Sequence, residues 1–511
     1  MAGKTSSLPD QIWNVLSHLE QISVGTALLA VLTLWFVYTV FIKPFLSPLR
    51  KIPGRPYIPL LGNSREIARS EALTNTLRWM KDLNSTIVRF YLPFGRERLL
   101  VADPTSMKHI LVTNSKNYER ISPGLTFPLL RVCKGGLLVT TGEEHHAQRR
   151  LCNIAFRKAV LASMIPTFEK HAKKLVKFWL AKMSAVSGKT VEVPAQNDII
   201  RLTLDIICET GFDFPLNSVE NETDEEARNV SALLRSFRRD IKKSLPFYQY
   251  LPFEENRRFK KNKEMVDLLV KSVMKKKRTA LHTSDKDNTR DLLTNLILAR
   301  DETGAALEES EIQTQIITFL LAGHETTSTG LSWVLKQLSE LPEVQERLRR
   351  EVRNSCHDDD DLVMTADSLD KMPYLNCVIR ETLRFLPPVT SIWRKSLKED
   401  TLCGYKIPSG TTIGLHVGTM MRLPQFWDDP EVFKPERFLG DKTIDPYSFL
   451  PFGAGAHMCI GHRFAVLEMS TVLATFVRSL RFEPVVGMNY KRSSGITMKP
   501  SPPLVLKIEK I

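Results

Sequence analysis

The stretch Phe452-Gly453-Ala454-Gly455-Ala456-His457-Met458-Cys459-Ile460-Gly461 constrains this chain more than any other. Glycines at 453, 455 and 461 let the backbone turn tightly and approach one sulfur closely. Such a loop can aim peptide N–H groups at a thiolate and tune a metal bound to it. No second Cys or His stands at the spacing of a closed zinc site, so a single axial ligand to a haem iron fits Cys459 better. The run Arg463-Phe464-Ala465-Val466-Leu467-Glu468 reads as the start of a helix, whose dipole favours negative charge near the sulfur. A turn holding a buried thiol is the plainer reading of the same ten residues.

The loop resembles the haem-binding signature F-x-x-G-x-R-x-C-x-G of the cytochrome P-450 family, with His457 where Arg is usual. Three further family motifs lie upstream in the expected order. Ala322-Gly323-His324-Glu325-Thr326-Thr327 resembles the oxygen-activation motif A-G-x-[DE]-T-T. Glu381-Thr382-Leu383-Arg384 resembles the E-x-x-R helix, and Pro435-Glu436-Arg437-Phe438 the P-E-R-F segment. The resemblance implies haem b held between a long distal helix and the proximal Cys459 loop. Electrons would come from NADPH through a partner reductase, with cytochrome b5 a possible second donor. Features around Leu137-Leu138-Val139 and Gly495-Ile496-Thr497 are closest to fungal microsomal members, many of which oxidise lipophilic secondary metabolites such as terpenoids. Steroids or fatty acids are the other expected classes of substrate.

Each motif residue has an expected task. Cys459 is the axial ligand, with Phe452 and Gly453 shaping its loop. By resemblance Arg149 and Arg394 pair with the haem propionates, which need charge-assisted partners. His145 replaces the usual Trp of a W-x-x-x-R helix, and His457 the usual Arg, so propionate anchoring there rests on imidazoles, each neutral ring donating one hydrogen bond. Ala322 and Gly323 are small and leave room for dioxygen. Splitting an O–O bond heterolytically requires protons, which the acid Glu325 and the hydroxyl of Thr326 can relay. A threonine in a helix also commonly bonds back to a carbonyl, which is the competing reading of Thr326. Glu381 and Arg384, three apart on a helix, share a face; by resemblance Arg437 joins them in a buried structural network.

The 511 residues exceed what one core usually fills, yet motifs spread from 145 to 461 must meet at one cofactor, which implies one catalytic domain over 63–511. Residues Ile22 to Ile42 carry no charged side chain and are long enough, at about 1.5 Å per residue, to cross a hydrocarbon core of about 30 Å. Lys43, Arg50, Lys51 and Arg55 follow this span, which orients residues 1–21 to the lumen and the catalytic domain to the cytosol. A single-pass endoplasmic-reticulum protein is expected. Pro44, Pro48, Pro53, Pro56 and Pro59 predict a stiff, non-helical connector over 43–62. Seven unclustered cysteines indicate reduced thiols, so the sequons at Asn84, Asn221 and Asn229 are expected to stay unmodified.

A formal charge of +14 suits a membrane surface or an acidic protein partner; no nucleic-acid motif accompanies it. The aromatic loop Leu245–Phe253 with its flanking cations suits a membrane interface or a packed surface equally. By resemblance the substrate segments are 125–130, 235–253, 389–392 and 494–497, with Phe127, Leu129, Leu130, Val389 and Ile392 as apolar lining. Short strands are predicted within 86–102, helices from there to about 345, and strands again after 388. The fold class is thus mainly α with a smaller β-rich part. Two other functions use the same motifs: a haem-thiolate isomerase or dehydratase, and a non-catalytic haem-binding membrane protein.

Overall fold

The computed structural model describes residues 24–121, 133, 135–186, 188–221, 225–235, 248–283, 291–300, 302, 304–355, 364–440, 443–493 and 495–511. The expected luminal segment, Phe127, Leu129, Leu130 and residues 245–247 of the aromatic loop lie outside them. The helices that carry the site are α1 (Gly142–Ala155), α2 (Ile165–Ala185), α3 (Ala195–Phe212), α4 (Glu254–Thr283), α5 (Glu309–Glu340), α6 (Pro373–Phe385) and α7 (His462–Ser479). The strands of the largest sheet are β1 (Ile87–Leu92), β2 (Arg96–Val101), β3 (Tyr118–Arg120), β4 (Ile392–Ser396) and β5 (Thr412–Leu415). This is an α+β architecture.

The five strands form one sheet in the order β1-β2-β5-β4-β3. Only β2 and β5 run parallel; the other neighbours are antiparallel. Segments from opposite ends of the domain thus become neighbours, and Arg120 on β3 lies directly across from Arg394 on β4.

A long helix through the centre needs apolar residues on most sides. Helix α5 has them: Ile312, Ile316, Phe319, Leu320, Leu331 and Leu335 are buried, within one core shared with α2, α3, α6 and α7. Its start is defined by a reciprocal cap in which the Glu308 backbone N–H donates to the Glu311 carboxylate and the Glu308 side chain accepts in return. A second core lies under the sheet, built on Trp79, Phe90, Leu99, Met107 and Ile413.

Val24–Lys51 contains the one helix among the described residues that is long and apolar enough to span a membrane. The expected non-helical connector begins later than the prolines suggested. Lys43–Leu46 continue the helix and Pro48–Lys51 form a 3₁₀ turn. The chain accommodates Pro44 with a wider π turn at Tyr38–Ile42, closed by the Lys43 N–H donating to the Tyr38 carbonyl. Pro44 has no N–H to offer Val40, four residues back. The Tyr57 hydroxyl donates to the Val40 carbonyl instead, at 2.7 Å. Tyr57 also stacks against Tyr91, and a side chain at Gly95 would strike the Thr39 carbonyl at 2.5 Å. The end of the apolar helix is therefore docked on the β1–β2 hairpin.

Candidate functional site

Cys459 lies between a glycine turn and the first turn of α7. Gly453 and Gly455 have φ of 71° and 70°, a left-handed conformation open to glycine at little cost. At Gly455 a β-carbon would also meet the Leu111 carbonyl at 2.0 Å, so the loop presses against its neighbour. The Cys459 N–H donates to the Phe452 carbonyl at 2.9 Å, which closes the loop on itself. Cys459 is the one exposed cysteine among those described. The surrounding protein nonetheless pushes the thiol pKa up. A hydrogen bond from the Gly461 backbone and the charge of Arg149 act in the opposite direction.

Arg149, on α1, donates through Nη1 to the Met458 carbonyl at 2.6 Å and so fastens the loop from the outside. Arg394 is buried and donates to its neighbour's carbonyl at Trp393. Arg120, across from it, donates to the carbonyls of Leu137 and Leu138. Burial lowers the pKa of both Arg120 and Arg394 to about 10; Arg149 adds to this for Arg120, and Arg120 for Arg394. No motif marked Arg120. Only the strand register brings it to Arg394, so sequence reasoning had no signal for it.

His145 and His457, the two departures from the family pattern, touch. His457 Nδ1 and His145 Nε2 are 3.1 Å apart and the ring centroids 4.0 Å. Burial, with Arg120 next, lowers their pKa to about 4 and about 3, so both rings are neutral near pH 7.

The charges around the loop bear on whether a haem fits there. Among the described residues no carboxylate pairs with Arg120, Arg149 or Arg394, and His145 Nδ1 is buried without a partner. Like charges facing each other in a partly buried site are unfavourable unless an anion joins them. The two propionates of a haem would supply that anion. No group of three His, Cys, Asp or Glu side chains among the described residues could hold a metal by itself. An iron on Cys459 would then take its remaining ligands from a cofactor. The residues fit a haem.

On α5, Ala322 and Gly323 are half-buried, and a β-carbon at Gly323 would meet Ile207 of α3 at 3.3 Å. The Thr326 hydroxyl donates to the Ala322 carbonyl at 2.7 Å. Its oxygen keeps accepting capacity. Glu325 is not hydrogen-bonded to Thr326. Its Oε1 accepts from Thr497 Oγ1 at 2.9 Å and from Lys499 Nζ at 2.5 Å. Lys499 had no place in the sequence reading.

The supporting network is fully enclosed. Glu381 and Arg384 are 0% exposed and make two hydrogen bonds, Nε to Oε2 at 2.7 Å and Nη2 to Oε1 at 2.9 Å. Arg437 Nε reaches Oε1 at 3.0 Å, and both arginines spend further N–H groups on carbonyls between 421 and 432. This holds the segment before the Cys459 loop against α6. Val389 is exposed and Ile392 half-buried.

Comparison with known proteins follows the same line. The family Cytochrome P450 matches residues 52–507. Cytochrome P450 monooxygenase 205 of the fungus Postia placenta is 31% identical over 509 residues, covering 91% of this chain and 92% of its own. Human cytochrome P450 4F12 is 33% identical over 363 residues, 68% of each chain. Among solved structures, the retinoic acid-bound cyanobacterial CYP120A1 superposes with a TM-score of 0.76 at 23% identity, covering 90% of this chain and 99% of that one.

Proposed function

This chain belongs to the cytochrome P450 family of monooxygenases, and from that premise we propose that it oxidises a lipophilic small molecule at a membrane surface. One oxygen atom of O2 enters the substrate, and NADPH supplies electrons through a separate reductase. The membrane is that of the endoplasmic reticulum, with residues 1–21 luminal, 22–42 as the anchor and 63–511 on the cytosolic side. The apolar helix within Val24–Lys51 supports the anchor. Exposed Arg150, Arg157, Lys158 and Arg463 beside the Cys459 loop suit an acidic reductase surface, with cytochrome b5 as a second partner. The similar cyanobacterial structure binds retinoic acid, which supports a lipophilic substrate class. Terpenoid-like secondary metabolites, steroids and fatty acids all satisfy that chemistry.

The observation that carries the reading is an exposed Cys459 in a glycine loop fastened by Arg149, with Arg120 and Arg394 facing each other nearby and no carboxylate paired to the three arginines among the described residues. Arg120, Arg149, Arg394, His145 and His457 would hold the propionates, and Cys459 the iron. Phe452 and Gly453 shape the loop. When bound, haem supplies the electron transfer and activation of O2. The protein's own part is to hold the substrate, keep Ala322 and Gly323 small on the distal side, and move protons. The Thr326 hydroxyl can accept a proton at its oxygen while donating its own to another acceptor, and Glu325 is the neighbouring acid. Glu381, Arg384 and Arg437 support the fold beneath the loop.

Thr326→Ala tests the proton task. Haem content should persist, NADPH consumption continue, hydrogen peroxide rise and product per NADPH fall. An unchanged ratio would mean that Thr326 only bonds back to Ala322. Product formed without NADPH or O2 would identify an isomerase or dehydratase instead.

A further inference from the structure

The side chains at 325, 329 and 333 of α5 form one stripe, four residues apart, and the hairpin formed by Lys491–Ser493 and Lys499–Ser501 lies along it. Trp333 Nε1 donates to the Met498 carbonyl at 2.6 Å. Thr329 Oγ1 donates to Thr497 Oγ1 at 3.3 Å, Thr497 donates on to Glu325 Oε1, and Lys499 Nζ reaches the same oxygen. Met498 N–H donates to the Pro388 carbonyl, so the hairpin also holds the turn between α6 and β4. Thr326 belongs to the adjacent stripe with Ala322 and Gly330, about 100° around the helix from Glu325. The acid and the hydroxyl are therefore consecutive in sequence yet aimed at different surroundings. His324, the residue between the small pair and the acid, is fully buried, with its carbonyl accepting from Thr203 of α3.

We propose that Lys499 is a positioning residue for the proposed oxidation: its ammonium tethers the Glu325 carboxylate to the C-terminal hairpin, so the acid reaches Thr326 only when that ion pair opens. The proposal rests on the monooxygenase reading and adds to it a named control. Lys499 acts by charge. The pair is suited to opening, because the Lys499 side chain is 33% exposed and water can take over its ammonium, whereas Glu325 at 14% is largely enclosed. The hairpin carries the tether, and 494–497 is a segment expected to face substrate. Substrate pressing on the hairpin would then act on the acid directly.

The test uses the full chain with haem and reductase. Lys499→Gln, Lys499→Arg and Glu325→Gln are compared with the parent by two independent readouts. The first is amine labelling of Lys499, read by peptide mass. Glu325→Gln should raise it several-fold, because a paired ammonium reacts slowly; equal labelling would mean that the pair is not formed in solution and overturns the proposal. The second is NADPH consumed without substrate. An acid freed from its tether should raise it several-fold in Lys499→Gln, Lys499→Arg should restore the parent value, and adding Glu325→Gln to Lys499→Gln should abolish the rise. A value unaffected by Lys499→Gln overturns the proposal, as does an effect that Lys499→Arg fails to rescue. Labelling needs no turnover, so a failure of the monooxygenase reading remains distinguishable from a failure of the tether.

Discussion

Glu381→Gln changes one atom and should weaken the whole domain. The carboxylate is 0% exposed and accepts from Arg384 Nε, Arg384 Nη2, Arg437 Nε and the Lys434 backbone N–H, all within 3.0 Å. An amide keeps one acceptor oxygen but turns an NH₂ donor onto a guanidinium donor and deletes the negative charge between two buried cations. Removing one partner of a buried ion pair costs about 3–5 kcal/mol, mainly because the remaining charge is stranded. For 511 residues at about 2.1 cal/mol/K of unfolding entropy each, the melting entropy is about 1 kcal/mol/K, so Tm should fall by roughly 3–5 °C. The network spans α6 and the segment before the Cys459 loop, so haem should also be retained less well on gel filtration. The assay is thermal unfolding followed by tryptophan fluorescence at matched haem content. A Tm within about 1 °C of the parent, below the smallest shift the pair predicts, would refute the reasoning. It would mean that water or a backbone shift satisfies both arginines once the charge is gone.

Cys459→Ala should abolish the red-shifted Soret band of the reduced carbon monoxide complex; a thiolate band persisting in the variant would move the ligand to another cysteine. Tyr57→Phe removes the one hydrogen bond that replaces the Pro44 gap at Val40. Trypsin should then cut after Arg50 and Lys51 several-fold faster, and unchanged cleavage would show that packing alone holds the helix end. Glu209 carries a pKa lowered from 4.5 to about 2, first by its hydrogen bond with His171 and then by Lys170. A depressed carboxylate stabilises the fold above about pH 4.5 and loses that contribution as pH falls towards 2. Denaturant midpoints should therefore drop between pH 5 and pH 3, and drop less in Glu209→Gln; parallel curves for the two proteins would contradict it.

What could be read from the chain alone was local. The Cys459 loop is a ten-residue pattern whose glycines are needed where the backbone turns left-handed and meets Leu111. Glu381 and Arg384 stand three apart, so one helix brings them together without help from the fold. The apolar helix within Val24–Lys51 is visible because length and composition are properties of one segment and not of its partners. What tertiary structure decided involves residues far apart in sequence. Arg120 meets Arg394 only through the β3–β4 register. Lys499 meets Glu325 across 174 residues, and so changes what the acid beside Thr326 is bonded to. Tyr57 rescues a carbonyl freed by Pro44, which lets a helix run into a segment whose prolines predicted a break. In each case the deciding contact is between side chains or carbonyls on different elements. Helix and strand periodicity reports which face of an element turns inward, and says nothing of which residue waits on the other side.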